Sequence, residues 1–233
     1  MRRIVLLAHR VPVSGAFTLN DLAGGGGRMD EVARAVSTAF TLSNDLRRDT
    51  EMTVLFVSEP PPRSRRIRIT GARLRFLHPD ERSTAALLKN ALVRSIPLEQ
   101  DVEASPGLVV GPTDPVEEIR RFAALPGAFR LAEDGRPVDE APFPDGGFAA
   151  LLSDPTDPTG PEADLLRSLG LGSYSLGPRS LRTSQCIDLL HHEADRREVR
   201  PPGGTATGAR PSGDPPPGAP PGPPGDAGPR SPR

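Results

Sequence analysis

The sequence predicts an α/β fold on a mostly parallel sheet, and three observations carry the prediction. Apolar runs with strand character alternate with amphipathic segments of helical period over the first 200 residues, the order that βαβ units produce. Hydrophobic residues make up 36% of the 233 and mean hydropathy is −0.37, which leaves material for a core. No window approaches the ~18 consecutive apolar residues of a membrane span. From Pro201 onward the composition changes: 12 of the last 33 residues are Pro and 8 are Gly. Such a tail cannot bury enough apolar surface to offset the entropy of ordering, so it is expected to be disordered. The expected organisation is one domain over 1–200 and a Pro/Gly-rich tail over 201–233.

The elements follow in order. Arg3–His9 is an apolar strand, and the loop through Gly24–Gly27 leads into a helix from about Arg28 to Ser43, with Val32, Ala35, Val36, Ala39 and Phe40 on one stripe. Glu51–Ser58 is a buried strand. Arg66–Ile69 and Arg73–Phe76 both alternate with the strand period, so the pair reads as a hairpin turning at Thr70-Gly71-Ala72. A helix opens after His78-Pro79-Asp80 and carries Leu87, Leu88, Ala91 and Leu92, with acids in its first turn. Pro97 and Pro106 bracket a loop. Leu108–Gly111 and Phe129–Glu133 read as strands around a helix from Pro115 to Ala124. Phe148–Ser153 is a strand, Glu162–Gly170 a helix ending at Gly, Ser173–Gly177 a strand, and Arg182–Glu198 the last helix.

Charge and cysteine usage narrow the function. Lys89 is the only lysine, so 28 of the 29 cations are arginines, and residues 63–75 hold six of them with no acid. In the expected hairpin Arg66, Arg68, Arg73 and Arg75 share one exposed face, a candidate phosphate-binding surface; the competing reading is a solvated face in an arginine-biased chain. The single cysteine excludes an internal disulfide framework and a multi-Cys zinc site. The apolar run of the first strand breaks at His9-Arg10 without a small-residue cleavage site, so no signal peptide is expected and the cytoplasm is the default address.

Generic catalytic templates are missing: there is no G-x-S-x-G elbow, H-E-x-x-H or Walker A string. Gly24–Gly27 follows no strand and reads as a hinge. His191-His192 point ~100° apart on a helix, so no metal is expected there and the pair reads as a surface feature.

Four longer strings resemble one family, the archaeal tRNA (pseudouridine-N1)-methyltransferases and their bacterial relatives in the SPOUT superfamily. They are Leu19-Asn20-Asp21-Leu22 with Gly27-Arg28-Met29-Asp30; His78 through Leu87; Ser175 through Leu181; and Gln185-Cys186-Ile187 with His191 through Arg196. In order and spacing they cover residues 1–197. The resemblance implies a C-terminal trefoil knot over 106–200 that binds S-adenosylmethionine, an RNA-binding half over 1–105, and a homodimer. It implies cofactor contacts at Leu131, Ser153, Leu176, Gly177, Pro178, Arg179, Ser180, Leu181 and Cys186. The least similar segment follows Asp154, where Pro155 replaces the family's His and Pro158 removes a second N–H donor.

The implied activity is methylation at N1 of pseudouridine, in the T-loop of tRNA. The alternatives are a ribosomal RNA target and an RNA-binding relative without catalysis. Asp30 and Asp80, each in a matching string, are the candidate bases, and Arg28 and Arg82 would hold phosphate or uracil carbonyls. Asp80 also suits a helix N-cap, and Asp30 a first-turn acid. Cys186 suits a cofactor-lining residue better than a nucleophile. On the last helix Ile187, Leu190 and Ala194, widened by Leu189 and His191, form a stripe expected to pair in part with a second subunit.

Overall fold

Strand β1 (Arg2–Ala8) is apolar on both faces, which decides the architecture: Ile4, Leu6 and Ala8 bury into one helical layer, Val5 and Leu7 into another. A strand buried on both sides needs helices on both sides. The computed structural model describes residues 1–58 and 63–198, all within one compact unit. The tail and its expected disorder lie outside the described residues.

The other strands are β2 (Thr50–Phe56), β3 (Arg65–Thr70), β4 (Val102–Ser105), β5 (Leu108–Pro112), β6 (Ala128–Pro137), β7 (Phe148–Ser153) and β8 (Gly172–Ser175). They form one sheet in the order β4-β5-β3-β2-β1-β7-β6-β8. The pairs β1–β2, β1–β7, β6–β7 and β6–β8 are parallel, while β3 and β4 bring an antiparallel flank. Helices α1 (Met29–Phe40), α2 (Glu81–Ser95) and α5 (Thr183–Glu198) bury into one face. On the other face lie α3 (Pro115–Ala123) and α4 (Gly160–Ser168). The local signals work as written: Asp80 caps α2 by accepting from the Ser83 N–H at 2.8 Å, and Thr159 with Glu162 forms a capping box on α4.

Four expectations need correction. The arginine hairpin does not form, because β3 pairs instead with β2 and β5. After Thr70 the chain coils into a turn, with Arg73 N–H donating to the Thr70 carbonyl and Leu74 N–H to that of Gly71. Within β3 the alternation holds: Ile67 and Ile69 are buried. Beyond it the alternation fails, and Leu74 is 1% exposed while Phe76 is 68% exposed.

The shared exposed face fails with the hairpin. Arg66 is largely covered and held by Asp101 at 2.7 Å and Glu118 at 3.3 Å, and Arg68 lies 3.9 Å from Glu118. Arg73 pairs with Glu103 at 2.8 Å. Arg75 is exposed and its guanidinium has no hydrogen bond or ion pair among the described residues.

The loop bracketed by Pro97 and Pro106 contains β4, which turns at Pro106-Gly107 to pair with β5. Gly107 has φ 78, and a Cβ there would meet the Leu74 nitrogen at 2.5 Å, so the turn needs glycine.

Finally, His191 is buried at 2% exposure while His192 is exposed, and Ile187, Leu190 and Ala194 are fully buried in the chain's own core. That stripe is therefore covered internally, and of the expected dimer face only Leu189 stays open. The helix needs His191 inside because Arg2, also buried, donates to its Nδ1 at 3.2 Å while its Nε2 meets the Ala39 carbonyl at 3.1 Å.

Candidate active site

A cavity of about 400 Å³ opens where β6, β7 and β8 run out. In open α/β sheets the carboxyl ends of strands leave such a crevice, because helices turn away there. One wall comes from β6, with Leu131 and Glu133; a second from the end of β7, with Leu152, Ser153, Asp154 and Pro155. The third is the β8–α5 connection, with Leu176, Gly177, Arg179, Ser180, Leu181 and Arg182, closed by Cys186 in the first turn of α5. Of the nine expected cofactor contacts the structure gathers eight. Pro178 lies in the same connection but does not line the cavity. Gly177 takes φ 133, a conformation other residues rarely adopt. Thr183 anchors the connection by donating its hydroxyl to the Ser153 carbonyl at 2.9 Å.

Burial pushes the Cys186 thiol up to about 11, so it faces the cavity as a neutral group rather than a thiolate.

The expected catalytic residues sit elsewhere. Arg28, in the left-handed region at φ 69, grips Asp30 with two bonds of 3.0 Å, and Asp30 does not line the cavity. Its neighbour Glu31 is the α1 carboxylate that lines the cavity, held by Arg28 at 2.8 Å and Arg34 at 3.1 Å. Asp80 is the α2 cap. Arg82 donates to the Leu19 carbonyl and to Asn20 Oδ1, both at 3.0 Å, and so ties two of the family-like strings together. Neither Asp80 nor Arg82 lines the cavity. The glycine run is a tight turn: Asp21 accepts from the N–H groups of Gly24 and Gly25, and a Cβ on Gly27 would meet the Arg10 carbonyl at 1.9 Å. Its amides are thus occupied and form no anion cradle.

Sequence reasoning missed a cluster behind the second wall. His9, at the end of β1, meets Asp154 through its backbone N–H (2.8 Å) and Nδ1 (3.4 Å), and Glu162 through Nε2 (2.9 Å). Burial alone would lower the His9 pKa, but the hydrogen bonds and charges of the two carboxylates outweigh it and raise it to about 9. Against the cost of their own burial, the same contacts hold Asp154 and Glu162 below the usual carboxylate range. Thr159 adds backbone and hydroxyl bonds to Glu162 at 2.7 and 2.8 Å. The loop of Pro155 and Pro158 is therefore fixed at both ends despite its missing donors. Sequence carried one unread signal: a polar His ending an otherwise apolar strand.

The fold and cavity together define a class, the α/β proteins that hold a small ligand at the carboxyl ends of a mostly parallel sheet. Residues 1–199 match the family described as "Putative SAM-dependent RNA methyltransferase", and the chain belongs to that family. It is 39% identical over 197 residues to the "tRNA (pseudouridine(54)-N(1))-methyltransferase" of Methanocella arvoryzae, covering 84% of this chain and 100% of the relative. The protein of the same name from Methanosarcina acetivorans is 38% identical over 199 residues, covering 85% and 93%. That from Haloferax volcanii is 34% identical over 197 residues, covering 84% and 96%. The crystal structure of Archaeoglobus fulgidus Nep1 bound to S-adenosylhomocysteine shares the fold, with a TM-score of 0.57 at 14% identity over 85% of this chain and 99% of that one.

The cavity's chemistry suits S-adenosylmethionine. Leu131, Leu152 and Leu176 would offer apolar surface to an adenine, and the carboxylates of Glu31, Glu133 and Asp157 would suit a ligand with two positive centres. Its volume falls in the ~300–1,000 Å³ range of small-ligand sites.

Proposed function

We propose that this protein transfers a methyl group from S-adenosylmethionine to N1 of a pseudouridine in the T-loop of tRNA, at the position its relatives are named for. The observation that carries the reading is the cavity itself, because two of the family-like strings, through Ser175–Leu181 and Cys186, line it together with β6, the end of β7 and Glu31, the residue after a third string. The cofactor supplies an electrophilic methyl, so the protein's task is placement and proton removal. Leu176, Gly177, Arg179, Ser180 and Leu181 would hold the cofactor from the α5 side, and Leu152 and Ser153 from the β7 side. Glu31, with a side chain 6% exposed and fixed by two guanidiniums, would accept the N1 proton as the N–C bond forms and the methyl–sulfur bond breaks, the thioether S-adenosylhomocysteine being the leaving group. Arg28 and Asp30 act through Glu31 as positioning residues. Arg179 and Arg182, both on the cavity rim and exposed, carry no acid partner among the described residues and suit the phosphates flanking the target nucleotide.

The finer features of the reading are a trefoil-knotted cofactor half, a homodimer and a cytoplasmic place of work. The family resemblance supports the first two, and a tRNA substrate supports the third. Leu189, 39% exposed on the outer face of α5, belongs to the surface that would pair. The well-held Pro155 loop removes the reason for preferring a relative that only binds RNA. Mass spectrometry of nucleosides from a strain lacking the gene tests the reading. N1-methylpseudouridine should vanish from tRNA and return on complementation; its persistence would contradict the proposal.

A further inference from the structure

Phe76 violates two rules at once. Its ring is 68% exposed, the largest exposure among the large hydrophobic side chains, and its backbone sits in the left-handed region at φ 59. A bulky residue there is a genuine outlier and persists only when its surroundings over-determine it. Here they do. Leu74 and Leu77 are buried, and the two residues between them, Arg75 and Phe76, both turn outward. Arg48 clamps the preceding turn by donating to the carbonyls of Gly71 at 3.2 Å and Leu74 at 2.9 Å. The Arg75 N–H bonds the Pro106 carbonyl at 3.3 Å. The ring is thus held out by a rigid mount.

What flanks the ring is cationic. Arg75 is exposed and its guanidinium has no partner among the described residues, and Arg73 is 66% exposed beside Glu103. A fixed aromatic face next to an available guanidinium is how proteins stack an unpaired base while gripping its backbone.

Position adds a constraint. Thr70 pairs with Glu51 at the start of β2, and β2 starts beside the start of β1, so this turn lies at the amino ends of the parallel strands. The cavity lies at their carboxyl ends. Seven residues of β1 separate the two ends, about 20 Å at strand rise. A ligand touching both has to be a macromolecule, as a tRNA is, rather than a nucleotide.

We infer that Phe76, with Arg75, is a stacking anchor for an unpaired base of the substrate RNA, remote from the reacting nucleotide. The inference rests on the RNA-methyltransferase reading and names a contact of that substrate. It is tested by tRNA binding, methylation kinetics and thermal melting of the full chain and of F76A, F76G and F76Y. F76G relieves the left-handed strain, so its melting temperature should hold or rise while tRNA affinity falls about 5- to 100-fold, the range that base stacking supports. F76A should lose affinity alike, F76Y should keep it, and the loss should appear in KM with kcat unchanged. Wild-type affinity in F76A and F76G overturns the anchor and leaves the methyltransferase reading standing. A parent protein that fails to bind tRNA overturns both. Loss of a dimer in F76A, seen by light scattering, assigns the ring to a second copy of the chain and also overturns the anchor.

Discussion

Asp30 and Glu31 are neighbours on α1, yet only Glu31 reaches the cavity, so the two carboxylates have separable roles. Glu31→Gln should lower kcat about 10²–10⁴-fold, the usual contribution of a positioned base, with S-adenosylmethionine affinity preserved. Asp30→Asn should cost much less, since it loosens a fork and removes no proton acceptor. Rapid-quench methylation with each variant decides the matter, and the reverse order of effects would return the role to Asp30. His9 has its own signature. Its folded pKa of about 9 lies above the ordinary 6.5, so its stabilisation is complete below that ordinary value and is lost as pH rises through about 9. Denaturant titrations should show His9→Gln less stable than the parent by of order 3 kcal/mol at neutral pH. The gap should close above about pH 10; a gap constant across that range would mean that the imidazolium does not carry the clamp. From the other side, Asp154 and Glu162 lose their contribution as pH falls through their depressed values.

At the scale of the element, β3 and α5 behave differently from their sequence patterns, for related reasons. On β3 the alternation reported the right faces, but the acids that neutralise Arg66 come from Asp101 and from Glu118 on α3. Partners so far apart in sequence cannot be read from a local window. Arg66→Ala should therefore cost stability, about 1–3 kcal/mol by chemical denaturation, and leave the salt dependence of tRNA binding unchanged. The same limit hid the hairpin's failure, since only tertiary structure shows β5 taking the edge that Arg73–Phe76 would have needed. On α5 the stripe of Ile187, Leu190 and Ala194 was legible as a buried face, while the identity of what buries it was not. The chain's own α1 layer and sheet do so, and His191 joins them through Arg2 and Ala39. Burial, aided by the charges of Arg47 and Arg2, lowers the His191 pKa to about 3. Stability should then decline as pH falls from 6.5 toward about 3, opposite in direction to the His9 effect, and His191→Gln should flatten that part of the profile. The cavity was legible in part: the resemblance named eight of its nineteen lining residues, because a contiguous string such as Ser175–Leu181 makes one connection and one wall, whereas Glu31 and Asp154 reach it only through the tertiary fold.

At the scale of the molecule, the charge count misleads in both directions. A net charge of −1 suggests indifference to RNA, and an arginine-rich stretch suggests a binding face, yet most of that stretch is neutralised internally. Among the described residues, the exposed cations without an acid partner include Arg75 near the turn and Arg179 and Arg182 at the cavity, and the proposed RNA interface would span the sheet's length between them. Each phosphate contact should contribute a slope of roughly −0.7 to −0.9 to log affinity against log salt, so Arg75→Ala should flatten the tRNA slope by about one unit. Light scattering of the full chain should give twice the monomer mass, and a monomer at micromolar concentration would remove the homodimer from the account. The central claim is methyl transfer to pseudouridine, and one measurement reaches it directly. Purified protein is incubated with methyl-labelled S-adenosylmethionine and two tRNAs, identical except for pseudouridine or uridine at the target position, and the products are digested for mass spectrometry. The account predicts one labelled N1-methylpseudouridine per pseudouridine-bearing tRNA and none on the other; equal labelling of both, or of neither, would contradict it.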